Sequence, residues 1–189
     1  MFIKHKNHTK PSLEMIKACV SYDQMTGQFT WKTRPDEHFS SHRAAASWNT
    51  RFSGNPVMKT NRGYIILTIT VDGVESYTMG HRAAWALMTG AMPEFEIDHI
   101  NGIKGDNKWT NLRQATHQQN QWNKSASARN KSGFLGVHKH SQNKGKFVAQ
   151  IRSCGITKHI GIFDSAEEAA IAYQSASSAI HGEYMRASA

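Results

Sequence analysis

The chain has 189 residues, 39% of them hydrophobic, a formal net charge of +9 at pH 7 and a sequence pI near 9.7. This length suits one ordinary domain or two small ones, and the uneven charge favours two. Between Asp106 and Asp164 there is no acidic residue, while Lys and Arg supply ten positive charges, so the excess sits in one segment and points to a polyanionic partner. Cys19 and Cys154 are far apart and neither belongs to a Cys-x-x-Cys pair, which argues against a disulfide framework or zinc knuckle. The Lys- and His-rich start leads into no apolar stretch of signal-peptide length, and the longest apolar run, Tyr64 to Val71, is strand-sized. The expectation is a soluble protein of the cell interior (cytoplasmic) without a membrane partner, as a monomer or weak dimer.

In chain order, Leu13, Met15, Ile16, Cys19 and Val20 fit one face of a short helix after Pro11-Ser12. Gly27 to Lys32 alternates like a strand, and Arg34 to Asn55 is polar. Gly63 to Val71, the turn Asp72-Gly73 and Val74 to Met79 form a hairpin signature. His81 to Thr89 has helical spacing and stops at Gly90. Glu96 to Gly102 is an extended piece entering a tight turn. Asp106 to Arg113 forms a second turn and return strand, and Thr116 to Asn123 reads as a helix presenting Asn120 inward.

After the small and basic stretch Lys124 to Ser132, three short strands are expected at Leu135 to His138, Lys146 to Arg152 and Lys158 to Phe163. A helix follows the capping and acidic residues Asp164 to Glu168, with Ala170, Tyr173, Ala176 and Ile180 on one face. The fold class is α+β, divided into an N-terminal helix and hairpin scaffold (1–76), a chemistry-bearing unit (77–124), a basic linker (125–132) and a three-stranded antiparallel sheet on one helix (133–189).

The chemistry-bearing constellation is Asp98-His99 before Ile100-Asn101-Gly102, with Asn111 twelve and Asn120 twenty-one residues after His99. A carboxylate holds a hard divalent cation, and a neutral imidazole beside it takes a proton from water. An ordinary turn is the bland reading of Asp-His before Asn-Gly, and the joint spacing of the two asparagines weighs against it.

Gly80-His-Arg-Ala-Ala-Trp85, Ile97-Asp-His-Ile-Asn-Gly102, Asp106-Asn107 and Asn111-Leu-Arg113 resemble the HNH endonucleases, in the branch ending in Asn that includes phage and homing enzymes. The resemblance extends upstream through Tyr22 to Lys32 and covers about the first two-thirds of the chain. It implies a ββα unit clasping one metal and hydrolysing DNA, with His99 as general base, Asp98 and Asn120 as metal ligands, and Asn111 pinning the His99 loop. Oxygen ligands favour Mg²⁺, then Mn²⁺, over Zn²⁺. His117 or Asn123 could replace Asn120. His81 and Arg82 either touch phosphate or the metal-bound group, or cap and orient their helix. Trp85, Trp109 and Trp122 fit a core or lid better than base stacking.

Gly133 to Val137, Gly145 to Arg152, His159 to Phe163 and Ala166 to Tyr173 resemble the APETALA/ethylene-response-factor DNA-binding domains, whose sheet lies in the major groove. The resemblance implies double-stranded DNA as partner, with contacts from His138, His140, Lys146, Gln150, Arg152 and Lys158; the small and basic linker, with Arg129 and Lys131, is expected to lie along phosphates. His138, His140 and Phe147 stand where plant members carry Arg or Trp, so plant sequence specificity does not transfer. Two rival classes remain: a DNA-binding regulator retaining the first unit as a non-catalytic scaffold, and an RNA-directed protein, for which no aromatic RNA-recognition signature is present.

Overall fold

A computed structural model describes residues 9–127, 129–153 and 155–185. Cys154 and the Lys- and His-rich start as far as His8 lie outside these residues. The chain divides into two compact units, Met1–Gln114 and Ala115–Ala189.

In the first unit, Ser12 caps helix α1 (Leu13–Cys19), its side chain accepting from the Met15 backbone N–H at 3.2 Å. The chain passes directly into β1 (Val20–Asp23), which pairs antiparallel with β2 (Gln28–Trp31). Asp23 makes the turn between them by accepting from Met25 N and Thr26 Oγ1, each at 2.8 Å.

The polar stretch after Arg34 contains an eleven-residue helix, α2 (His42–Phe52), which buries only Ala45 and therefore shows no apolar stripe in the sequence. Arg34 is buried below it, with its guanidinium over the Phe39 and Trp48 rings at 4.7 and 4.9 Å and Nη2 donating to Thr70 O.

β3 (Thr60–Asn61), β4 (Tyr64–Val71) and β5 (Val74–Met79) form an antiparallel sheet in that order. The expected hairpin turn is present, with Asp72 and Gly73 both at positive φ, 48° and 73°. Helix α3 (Gly80–Thr89) ends at Gly90 as expected and packs against α1, β4, β5 and a further strand, β6 (Glu96–His99). β6 pairs with β7 (Leu112–Ala115). Ile16, Leu67, Ile69, Ala83, Ala84, Ile97 and Leu112 lie in one buried cluster, so β6 is anchored on the same core as the hairpin.

The second unit begins with β7's last residue and α4 (His117–Trp122), which opens with a reciprocal Thr116/Gln119 capping box. β8 (Val137–Lys139), β9 (Phe147–Ser153) and β10 (Ile156–Phe163) form an antiparallel meander in the order β10-β9-β8. Helix α5 (Ala166–His181) packs on it through Ala166, Ala169, Ala170 and Tyr173, against Val137, Phe147, Ala149 and Phe163. The predicted helix face is corrected at its end: Ile180 is exposed, and Ser177 and His181 continue the buried stripe. Ser177 Oγ and His181 Nδ1 lie 3.1 Å apart, so each has a polar partner in the interior that its residue type does not reveal in the sequence.

Helices and separate antiparallel sheets together match the α+β expectation. Among the described residues no helix is long and apolar enough to cross a membrane.

Candidate active site

Ile97 fills the core at 5% exposure, and the two residues after it, Asp98 and His99, are equally buried at the end of β6. Arg113 on β7 meets Asp98, its Nε and Nη2 donating to Oδ2 at 3.0 and 2.8 Å. A carboxylate offers about four acceptor positions, so this fork leaves its remaining capacity to other contacts.

The turn after β6 is held by Asn111. Its Oδ1 accepts from the Asn101 N–H at 3.0 Å, and its Nδ2 donates to Asn101 Oδ1 at 3.0 Å and to Asp106 O at 2.7 Å. The Ile100 N–H donates to Asn111 O at 2.9 Å. One buried side chain thereby fastens both ends of the 101–106 loop.

His99 sits in a cage of rings and amide. Nε2 lies 3.1 Å from Asn107 Oδ1, the His81 ring meets it edge-on at 5.1 Å, and Tyr64 lies at 6.0 Å. Burial pushes the His99 imidazole below its ordinary value, partly offset by Asn107 and Asp98, so the ring is neutral at physiological pH. His81 is pushed down to about 3, mainly by burial and then by the neighbouring His99.

Arg82 turns away to donate to Phe95 O at 3.0 Å and Pro93 O at 2.9 Å, fixing the chain's entry into β6. Trp85 packs on Trp109 with centroids 5.0 Å apart.

On α4, Asn120 is half-buried and His117 is exposed with Nε2 3.2 Å from Gln121 Nε2; Asn123, the cap residue just past the helix, is the most enclosed of the three at 4% exposure. Among the described residues no three His, Cys, Asp or Glu side chains converge into a metal cage. The donors expected from the sequence, a carboxylate and an amide oxygen, are hard ligands that suit an oxygen-seeking, heavily hydrated cation rather than Zn²⁺.

In the second unit the strand register sorts the predicted DNA contacts. Gln150 and Arg152 of β9 stand opposite His159 and Thr157 of β10, and His138 stands opposite Val148, so these residues share one face. Lys158 pairs with Ile151 and belongs to the other face. Gln150 and Arg152 line a cleft of about 610 Å³ with His117, Gln121 and Thr157.

Lys146 is ion-paired with Asp164, an acid from beyond the acid-free segment, and His140 Nδ1 accepts from Gln142 N and Asn143 N in the β8–β9 turn. Arg129 and Lys131 are exposed in the linker. Asn107 and Tyr22 stand within the sequence motif without a role of their own, and the expected contacts do not include His159; Tyr22 meets Asn107 only across 85 residues of sequence.

Residues 79–122 match the model of the HNH endonuclease family, so this segment is similar to HNH nucleases. The chain is also 37% identical over 115 residues to an uncharacterized HNH endonuclease of Acanthamoeba polyphaga mimivirus, covering 58% of this chain. It spans 58% of that relative's length. No solved structure matches the chain.

Proposed function

We propose that the chain is a metal-dependent endonuclease that hydrolyses phosphodiester bonds of double-stranded DNA. The observation that carries this reading is the buried Asp98-His99 pair at the end of β6, inside the matched HNH segment. His99, neutral through burial, is the general base. It takes a proton from water, whose oxygen attacks phosphorus in line while the bond to the 3′ oxygen breaks.

Asp98 and Asn120 are the proposed ligands of one divalent cation, Mg²⁺ before Mn²⁺, which when bound neutralises charge on the scissile phosphate. The support for Asn120 is its sequence spacing from His99 and Asn111; Asn123 and His117 are the alternatives on the same helix. Asn111 holds the His99 turn, consistent with its three side-chain hydrogen bonds.

The basic second unit is the proposed DNA grip, similar to the APETALA/ethylene-response-factor domains. Its meander and packed helix, and the face carrying His138, Gln150, Arg152 and His159, support that reading. Lys158, Arg129 and Lys131 add positive charge around it, and Lys146 and His140 are further proposed contacts. The 77–124 stretch serves as the nuclease unit and 133–189 as the grip. A phage or homing origin for such an enzyme accords with a viral relative.

The test is incubation of duplex DNA with the full chain, with and without Mg²⁺ or Mn²⁺, followed by end mapping. Binding without cleavage in every metal would favour the non-catalytic regulator, and preference for RNA over duplex DNA would favour the RNA-directed class.

A further inference from the structure

The N-terminal hairpin, which in sequence reads as scaffold, reaches the centre of the site. Asn107 is 1% exposed and its Oδ1 faces His99 Nε2 at 3.1 Å. Its own position is fixed from the other side, where the Tyr22 hydroxyl on β1 donates to Asn107 O at 2.6 Å across 85 residues of sequence. Burial pushes the Tyr22 phenol up to about 12, so it stays protonated as a donor. A second tie follows, because the Trp109 N–H donates to Gln24 O at 3.0 Å.

Two glycines make the approach possible. A Cβ on Gly27, whose φ is +74°, would lie 2.5 Å from Lys108 N and 2.6 Å from Asn107 C. These are backbone atoms that cannot move aside, so the β1–β2 turn can lie on the 107–108 segment only as Gly. A Cβ on Gly80 would lie 3.0 Å from Asn107 Nδ2. Asn107 is thus gripped by hairpin, helix start and hydroxyl together.

A neutral imidazole carries its proton on one nitrogen and its lone pair on the other, and an amide oxygen only accepts. Oδ1 at Nε2 therefore holds the proton on Nε2 and leaves the lone pair on Nδ1. We infer that Asn107 is the positioning residue of His99, setting its tautomer and ring orientation, and that Tyr22 and Gly27 of the N-terminal hairpin hold Asn107 in register for that task. The inference rests on His99 being the general base.

Four readings on the full chain decide it. In the ¹⁵N-labelled wild type, long-range proton–nitrogen spectra should show His99 protonated on Nε2. Asn107→Leu, which has the same number and branching of side-chain heavy atoms but no acceptor, should lower kcat for DNA cleavage about 10–100-fold, the range for partners that orient a working histidine, with KM little changed. Asn107→Asp, which keeps an acceptor, should recover most of that loss, and Tyr22→Phe should lie between. If Asn107→Leu does not fold, the wild-type tautomer and the Asp variant still decide.

An Nδ1-protonated His99 in the wild type would overturn the inference. So would an Asn107→Leu enzyme of wild-type kcat in which His99→Ala is inactive. Cleavage retained by His99→Ala would instead remove the base assignment, whatever the tautomer shows.

Discussion

Arg113 places two donors, Nε at 3.0 Å and Nη2 at 2.8 Å, on a single oxygen of Asp98, with both side chains nearly closed to solvent. A carboxylate buried beside a neutral histidine needs such a partner, since an unpaired charge in the interior costs several kcal/mol. Arg113→Leu should therefore destabilise the chain by about 3–5 kcal/mol. Arg113→Lys should recover part of this, because a point charge cannot reproduce the fork. Urea unfolding measures both, and a loss below about 1 kcal/mol in Arg113→Leu, the level of an exposed pair, would contradict the buried-pair reading.

The imidazoles around the site make the fold sensitive to acid. His81 is pushed down to about 3 and His99 is lowered in the same direction, both first by burial. Unfolded histidine titrates near 6.5, so below that pH the unfolded chain binds protons that the folded chain refuses. The stability contributed is fully present above about pH 6.5 and falls as pH drops toward the folded values, by up to ~1.4 kcal/mol per pH unit per histidine. His81→Phe should flatten that fall between pH 6.5 and 4 in urea midpoints. An unchanged slope would show that His81 does not stay neutral in the folded chain.

Arg34 illustrates what a sequence hides. Its backbone N–H donates to Asn49 Oδ1 at 2.9 Å, its guanidinium lies over Phe39 and Trp48, and its Nη2 reaches Thr70 O. Arg34→Ala should cost about 2–4 kcal/mol, combining lost ring contacts with a buried carbonyl left unsatisfied. Thermal unfolding of this variant against Arg43→Ala, on exposed α2 surface near its start, isolates the effect; equal losses would contradict it.

The hairpin around Asp72-Gly73, the stop of α3 at Gly90 and the three-strand, one-helix order of the second unit were all legible, because turn residues and alternation are local signals. Asp98, His99 and Asn111 were legible as a spaced motif. Asn107 was not singled out, although Asp106-Asn107 stands in the motif, since its partners His99 and Tyr22 are 8 and 85 residues away and only folding joins them. Helix α2 escaped notice because it buries one alanine and leans on aromatic rings from other segments. Lys158 and His159 show the limit of reading faces from parity, since only the pairing with Ile151 and Gln150 says which of them joins Arg152.

That register yields a further prediction for the second unit. Gln150→Ala or Arg152→Ala should cost about 1–3 kcal/mol at particular base positions if these side chains read base edges. Lys158→Ala, on the opposite face, should weaken binding evenly across sequences or leave it unchanged. Affinities for cognate and scrambled duplexes over a salt series measure this, the slope of log K against log salt being about −0.9 per contacted phosphate. A sequence-specific loss in Lys158→Ala with none in Gln150→Ala and Arg152→Ala would place the reading surface on the other face.

On the proposed function, the buried Asp98-His99 pair cuts duplex DNA. The most direct measurement compares cleavage of duplex DNA by the full chain and by His99→Ala, in Mg²⁺ and in chelator, with DNA binding followed in parallel. Metal-dependent cleavage by the wild type, none by His99→Ala, and equal binding by both are expected, because the substitution removes the proposed base and not the phosphate contacts. Undiminished cleavage by His99→Ala, or equal cleavage in chelator, would contradict the proposed function.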